Sequence, residues 1–317
     1  MQTISRRRWL TTSLTAAATA ALIPYPAAPL HAAPANLPRQ TPSRMKLSLA
    51  AYSFRNHFKD ITHKRDENAP AADRRLDLFD FLDYCASHHC DAAELTSYYF
   101  PPNTDGAFLL QLKRHAFLRG LAISGSAVGN TFTHPAGPAR DKEMALVRLW
   151  IDNCQILGAP HLRVFAGTAP KGLAQDQAIE NCIGALREAC AYAAGRGIFL
   201  GIENHGGIVA EPGPLLDIIK AVNSPWLGIN LDSANFHTAD PYADFAKCAP
   251  YAINVQIKTE VRPKDAKTSS PSDLAKYIKI LRDNNYQGYV ALEFEEKSNP
   301  FDRVPETLRE LHKLIKS

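Results

Sequence analysis

Cysteine is sparse and scattered. The six residues form no Cys-x-x-Cys pair and no dense framework, which argues against both a disulfide-built scaffold and a thiolate zinc site. Cys154, Cys182 and Cys190 fall on apolar helical positions, where a thiol packs as a small hydrophobe. A membrane-spanning apolar run is missing as well. Thr11 to Ile23 is the nearest approach, and it is too short and too rich in threonine to cross a bilayer comfortably. No cysteine precedes Cys85, so a lipoprotein anchor at an N-terminal cleavage site is excluded. Charge of one sign is also lacking: the formal net charge of +4 falls to +1 without Arg6, Arg7 and Arg8. No basic stripe suggests nucleic acid as a partner. After the first strand-like segment stands Tyr52-Ser53-Phe54-Arg55, where a nucleotide-binding open sheet would carry a glycine-rich phosphate loop.

What is present begins with an address. Ser5-Arg6-Arg7-Arg8-Trp9-Leu10 precedes the mildly apolar stretch, and a Pro/Ala segment with sites such as His31-Ala32-Ala33 follows it. The basic, apolar and small-residue regions in that order predict a twin-arginine signal peptide and linker over residues 1–35. The expectation is therefore export to the periplasm, with the twin-arginine translocation machinery as a partner.

Beyond the linker, strand-like and helix-like blocks alternate. Strands are expected at Leu47–Tyr52, Cys90–Leu95, Leu121–Val128 and His161–Ala166, then before Glu203, Asp232, Gln256 and Glu293. Between them, Met144, Val147, Ile151 and Cys154 form one apolar helical stripe, and Ile179, Cys182, Ile183, Leu186, Cys190 and Ala193 form another. Further helices are expected near Arg75–His88, Asp105–Arg119, Pro214–Val222, Pro241–Ala249, Ser272–Asn285 and Pro305–Lys316. Glycines at the helix-to-strand junctions, among them Gly158, Gly195 and Gly197, suit caps with positive φ. Eight strand–helix units with no composition break predict a single (β/α)8 TIM barrel over residues 45–317, with an open doubly wound sheet as the runner-up.

The chemistry sits at the ends of the last four strands. Gly197-Ile198-Phe199-Leu200-Gly201-Ile202 runs into Glu203-Asn204-His205, Trp226 to Leu231 into Asp232, Ile253-Asn254-Val255 into Gln256, and Tyr289 to Leu292 into Glu293. A buried strand that ends abruptly in polar groups delivers them to the carboxyl end of a sheet. Three carboxylates crowded there repel one another, and a divalent cation resolves the conflict. Four oxygen donors favour a hard ion, Mg²⁺ or Mn²⁺, over zinc. The predicted metal ligands are Glu203, Asp232, Gln256 and Glu293.

Gly201-Ile202-Glu203-Asn204-His205, Asn230-Leu231-Asp232-Ser233-Ala234-Asn235, Val255-Gln256-Ile257-Lys258 and Gly288-Tyr289-Val290-Ala291-Leu292-Glu293 together resemble the sugar phosphate isomerase/epimerase superfamily of xylose-isomerase-like TIM barrels. The resemblance runs from about Met45 onward. It implies proton transfer next to a substrate carbonyl, with Glu203 and Glu293 flanking the substrate. Many members place His where this chain has Gln256; the hydroxypyruvate-isomerase-type members use Gln. Endonuclease IV-like members need a His-rich trinuclear zinc cluster that this oxygen set does not supply. An exported member would take a free keto-sugar, keto-glycoside or sugar acid in preference to a sugar phosphate.

Supporting residues are read from their places on the strands. Lys258, on the face of Gln256, is either an acid or substrate contact or an ion-pair partner. His205 shares the face of Glu203 and is expected to meet substrate, as are Arg163, Asn235 and Glu94. Arg163 and Glu94 would otherwise pair across the barrel interior, and Asn235 would support Asp232. Glu295 is expected beyond the strand end, and His57, His134 and His237 in loops. Tyr98, Tyr99 and Phe100 would either stack on a sugar or cover the barrel top. Competing functions are a lyase or hydratase on 3-keto-glycosides, an inosose-type dehydratase, and a non-catalytic carbohydrate-binding barrel. Barrels of this kind often pair, so a homo-oligomer is also an expectation.

Overall fold

The computed structural model describes Arg39 and residues 41–66 and 69–317. The expected export signal and linker over residues 1–35 lie outside the described residues.

Eight parallel strands close into a barrel: β1 (Arg44–Ala50), β2 (Ala92–Thr96), β3 (Ala122–Ala127), β4 (His161–Phe165), β5 (Phe199–Glu203), β6 (Leu227–Asp232), β7 (Ala252–Ile257) and β8 (Gln287–Leu292). Each strand pairs with its neighbour in sequence, and β1 pairs with β8 from Arg44–Gln287 to Leu49–Leu292 to seal the ring. The helices between them are α1 (Leu78–Ser87), α2 (Gly106–Leu118), α3 (Pro138–Leu157), α4 (Gln175–Ala194), α5 (Pro212–Val222), α6 (Pro241–Cys248), α7 (Leu274–Asp283) and α8 (Pro300–Lys316). A short antiparallel pair, Glu260–Val261 with Ser270–Pro271, decorates the loop after β7. The (β/α)8 barrel expected from the sequence is the observed fold.

Local chemistry explains the boundaries. Asp77 and Asp80 make a reciprocal capping box that starts α1. Asp105, Asp240 and Asp273 accept backbone N–H bonds that start α2, α6 and α7. Gly158 ends α3 with φ 78°, as its place in the sequence suggests; Gly195 stays right-handed at φ −65°, and Gly197 at φ 69° makes the turn instead. Two helices begin earlier than their prolines suggest. Pro212 occupies the first turn of α5, and α8 starts at Pro300, with Asn299 accepting from the Phe301 N–H at 3.2 Å. Pro305 therefore lies inside α8 and leaves the Phe301 carbonyl without its usual N–H donor.

The core forms where outward strand residues meet the helices. Leu162, Val164, Leu200, Ile202, Ile229, Leu231, Val255 and Ile257 are buried against Met144, Val147, Ile151 and Cys154 of α3 and Cys182, Leu186 and Cys190 of α4, among others. All six cysteines are buried free thiols. The alternate strand positions are polar and still buried: Glu94, Arg163, Glu203, Asn230, Asp232, Asn254 and Gln256. Asn254 and Gln256 of β7 reach Glu94 of β2, which is not a neighbouring strand, so these side chains lie inside the ring. Period-two alternation thus survives in strands whose outward half reads as a plain apolar run. No helix among the described residues is long and apolar enough to cross a membrane.

Candidate functional site

The interior holds two stacked polar layers. The deeper one is a closed hydrogen-bond ring. Gln256 Nε2 donates to Glu94 Oε1 at 2.6 Å, and Asn254 Nδ2 donates to Glu94 Oε2 and to Asn230 Oδ1 at 2.7 Å each. Asn230 Nδ2 completes it by donating to Gln256 Oε1 at 2.6 Å. Asn254 Oδ1 alone is left without a partner. Burial pushes the Glu94 carboxyl up to about 7, against the hydrogen bonds from Gln256 and Asn254. Glu94 does not pair directly with Arg163; its partners are amides. Gln256 therefore has both ends of its amide engaged within the protein.

The upper layer sits at the carboxyl ends of the strands and is made of charges. Glu203 closes β5, Asp232 closes β6, and Glu293 follows β8 with its N–H donating to the Ile257 carbonyl of β7 at 2.9 Å. Arg163 of β4 faces Glu203, Nε to Oε2 at 2.9 Å, although the angle leaves Arg163 Nε without a true hydrogen bond. Its guanidinium also donates to the Val128 carbonyl at 2.9 Å and lies 3.9 Å from the centre of the Phe165 ring. Asn235 links the acids: its Nδ2 donates to Glu203 Oε1 at 2.9 Å and its N–H to Asp232 Oδ1 at 3.1 Å. It thus supports both Asp232, as the sequence suggests, and Glu203.

Lys258 occupies the centre. Its ammonium lies 3.0 Å from Asp232 Oδ2, 3.0 Å from Glu295 Oε2 and 3.8 Å from Glu293 Oε2, and donates to Asn235 Oδ1 at 3.1 Å. The ion-pair alternative for this residue is the arrangement observed. Burial opposes the Lys258 charge, but Asp232, Glu293 and Glu295 outweigh it and hold the pKa well above the usual range. Burial pushes Glu203 up to about 7, with Arg163 acting against the shift and Asp232 reinforcing it. Burial likewise drives Glu293 well above the ordinary carboxylate range, with Lys258 opposing.

Backbone clamps fix the geometry. Asn204, fully buried, accepts from the Asp232 N–H at 2.8 Å and donates to the Asp232 carbonyl at 3.0 Å, tying the end of β5 to the end of β6. Ser233 Oγ accepts from the Lys258 N–H at 2.8 Å. Past His205 the chain turns through Gly206 and Gly207, both at positive φ. A side chain at Gly207 would meet the Gly167 carbonyl oxygen at 2.3 Å, so only glycine fits that turn.

The remaining candidates divide. His205 stands exposed at the rim, tilted on Phe165 at 4.5 Å. Tyr99 and Phe100 are buried, with Tyr99 stacked on Phe58 at 4.3 Å, so these two close the barrel top rather than face open space. Tyr98 lies beside Arg163 instead. His237 lies near the rim, Nδ1 at 3.1 Å from the Arg262 carbonyl oxygen. Glu295, expected beyond the strand end, is there, and it reaches back to Lys258. Asn204 and Ser233 are the participants that spacing did not single out, and the contact of Glu295 with Lys258 is the one it did not foresee. Asn204 was recoverable as a buried amide adjoining Glu203; Glu295 depends on how the loop after β8 folds over.

The donor set has the chemistry of a divalent-cation site. Glu203, Asp232 and Glu293 supply hard oxygens, and Asp232 Oδ2 is buried without a hydrogen-bond donor. As the side chains stand, however, no cluster of three His, Cys, Asp or Glu among the described residues converges on one point. The ammonium of Lys258 stands among them.

Solved structures share this architecture at low identity. The IOLI protein with a bound zinc atom is 16% identical, with a TM-score of 0.68 over 85% of this chain and 96% of that one. D-psicose 3-epimerase from Clostridium cellulolyticum H10, solved with D-tagatose, is 14% identical, with a TM-score of 0.65 over 86% and 97%. The apo form of 3-keto-D-glucoside 4-epimerase YcjR from E. coli is 14% identical, with a TM-score of 0.61 over 86% and 99%. No curated protein matches the chain. The sequence profile of one family matches residues 82–316, most of the chain, and the protein belongs to that family: the xylose isomerase-like TIM barrels.

Proposed function

We propose that this protein is a divalent-metal-dependent isomerase or epimerase that moves a proton next to the carbonyl of a non-phosphorylated keto-sugar. The observation that carries the reading is the pair of buried glutamates, Glu203 and Glu293, held at one barrel mouth by strand ends three steps apart around the ring. Burial raises the pKa of both, that of Glu203 to about 7, so Glu203 can hold a proton near neutral pH and release it again. Family membership and the epimerases among the structural relatives support an enzyme of this kind. Glu203, Asp232 and Glu293 would hold the ion, and Gln256 would join them on giving up the bond its Oε1 accepts from Asn230. A bound Mg²⁺ or Mn²⁺ would polarise a carbonyl and its neighbouring hydroxyl and acidify the C–H between them.

The chain's own residues then divide the labour. Glu203 would remove the proton on one face, and Glu293, itself protonated, would donate its own proton on the other; for transfer to the adjacent carbon Glu203 would give back the proton it took. Arg163 and Asn235 hold the Glu203 carboxylate in place. His205 and Tyr98 line the rim where sugar hydroxyls would lie, and Glu94 acts through Gln256 from below. Lys258 beside Glu293 favours one second reading, a lyase on a 3-keto-glycoside. The ammonium could protonate a departing alkoxide, so that a C–O bond breaks where the isomerase would only move a proton. A free-sugar substrate also accords with the export proposed from residues 1–35, because the periplasm lacks a pool of sugar phosphates.

Deuterium exchange tests the reading. Purified protein with Mn²⁺ or Mg²⁺ in D₂O is given ketoses and 3-keto-glycosides and followed by NMR, beside Glu203→Gln. Metal-dependent exchange that disappears in the variant is the expected result, and an unsaturated product would select the lyase. Binding of a sugar with no exchange at any carbon would sink the enzyme reading in favour of a carbohydrate-binding barrel.

A further inference from the structure

Lys258 and Arg163 both neutralise acids at the mouth, yet they are built differently. Arg163 is fixed on three sides, by Glu203, the Val128 carbonyl and the Phe165 ring. Lys258 is anchored only through its backbone N–H, which Ser233 Oγ holds at 2.8 Å. Its ammonium rests wholly on oxygens: Asp232 and Glu295 at 3.0 Å, Asn235 at 3.1 Å and Glu293 at 3.8 Å. Asp232 and Glu293 are two of the four residues assigned to the metal. Glu295 is not one of them. It is 36% exposed, and with Lys258, Asn235 and Arg262 it borders a cavity of about 280 Å³.

We propose that Lys258 is a resident counter-cation that competes with the divalent ion for Asp232 and Glu293, and that Glu295 is the positioning residue that receives the ammonium when the ion binds. This deepens the metal-dependent reading above and rests on it. The physical reason is mutual exclusion. A dication and an ammonium cannot share Asp232 Oδ2 without strong repulsion. The lysine stem is flexible and the cavity gives it room to withdraw. By leaning on Glu295, the ammonium keeps a counter-ion throughout the exchange. Two consequences follow: the acids stay compensated and the barrel folded without the ion, and ion affinity is set by the balance between Asp232 and Glu295 for one lysine.

The test is Mn²⁺ affinity, measured by calorimetry and by the spin-resonance signal of the free ion, on the full protein and two variants. Lys258→Met removes the competitor and is expected to bind Mn²⁺ at least about tenfold more tightly than the parent. Glu295→Gln removes the receiving carboxylate and is expected to bind it several-fold more weakly, because the ammonium then leans entirely on Asp232 and Glu293. Thermal melting guards against a folding defect. Lys258→Met is expected to melt lower than the parent without Mn²⁺ and to gain the larger upward shift with it. Equal affinity in all three proteins, or shifts of the same sign in the two variants, would overturn the competition and leave the metal reading standing. An absence of Mn²⁺ binding by every one of them would overturn both.

Discussion

The two polar layers inside the barrel are a few ångströms of strand apart and are built on opposite terms. In the lower layer, Glu94 meets two amides, a third links those two, and every hydrogen bond of the ring lies between 2.6 and 2.7 Å. In the upper layer, every acid has a cation beside it, but the hydrogen bonds are incomplete. Arg163 Nε and Asp232 Oδ2 have ion-pair partners and no hydrogen bond. Closed polar networks rigidify a core, and buried charges with unmet geometry remain available to something that arrives later. The lower layer is thus a platform and the upper layer a site. Gln256 is level with Asp232 along the strands, but both ends of its amide are bonded in the lower layer.

Substitutions in the two layers should fail in different ways. The largest effect is expected at the mouth. Glu203→Gln or Glu293→Gln should lower kcat/KM for the exchanging sugar by about a thousandfold, with a cooperative unfolding transition retained. A loss below tenfold would remove that glutamate from the chemistry. One layer down the damage should be to folding. Glu94→Ala leaves the Gln256 amide without an acceptor, takes one of two from Asn254 and opens a cavity, a destabilisation of roughly 4 kcal/mol, readable by urea unfolding. Loss of activity without loss of stability in that variant would show that the layers are not separable.

A third buried polar group, His161 at the floor of the barrel, sharpens the contrast because it has no charged partner and only a backbone hydrogen bond at Ser124. Its Nε2 lacks a partner, and burial pushes its pKa down to about 4. The neutral ring is therefore the native form. The stability it contributes is complete above the ordinary histidine value near 6.5 and is lost as pH falls through about 4. Unfolding free energy should drop by about 3 kcal/mol across that window on account of this residue, and His161→Phe should flatten the dependence measured by urea titration. The smallest effect is expected from Asn204→Ala, which removes the two-point clamp on the Asp232 backbone. It should cost about 1 to 2 kcal/mol of stability and weaken Mn²⁺ binding, since Asp232 Oδ1 and Oδ2 would lose their fixed aim.

The barrel itself was legible because its determinants are local. Apolar stripes at helical spacing, aspartate caps and glycine turns each act over a few residues, and eight repeats of one unit leave little choice of architecture. The acids at three of the last four strand ends were legible for the same reason: a carboxylate that stops an apolar strand stands out. Pro305 misled because proline favours a first turn, while Asn299 supplied a better cap six residues earlier. Tyr99 and Phe100 were ambiguous because an aromatic side chain serves a lid and a sugar surface equally well until its neighbours are known.

Sequence alone determined that Glu203, Asp232, Gln256 and Glu293 would stand at adjacent strand ends, because chain order dictates strand order in a closed parallel barrel. Only the tertiary structure decided which of them meets which partner. That Gln256 turns down to Glu94, that Arg163 takes Glu203, and that Lys258 stands among Asp232, Glu293 and Glu295 depends on which side chain fills a common space at angström range. Those residues come from separate strands and loops, and their rivalry for the same oxygens exists only once the ring is closed.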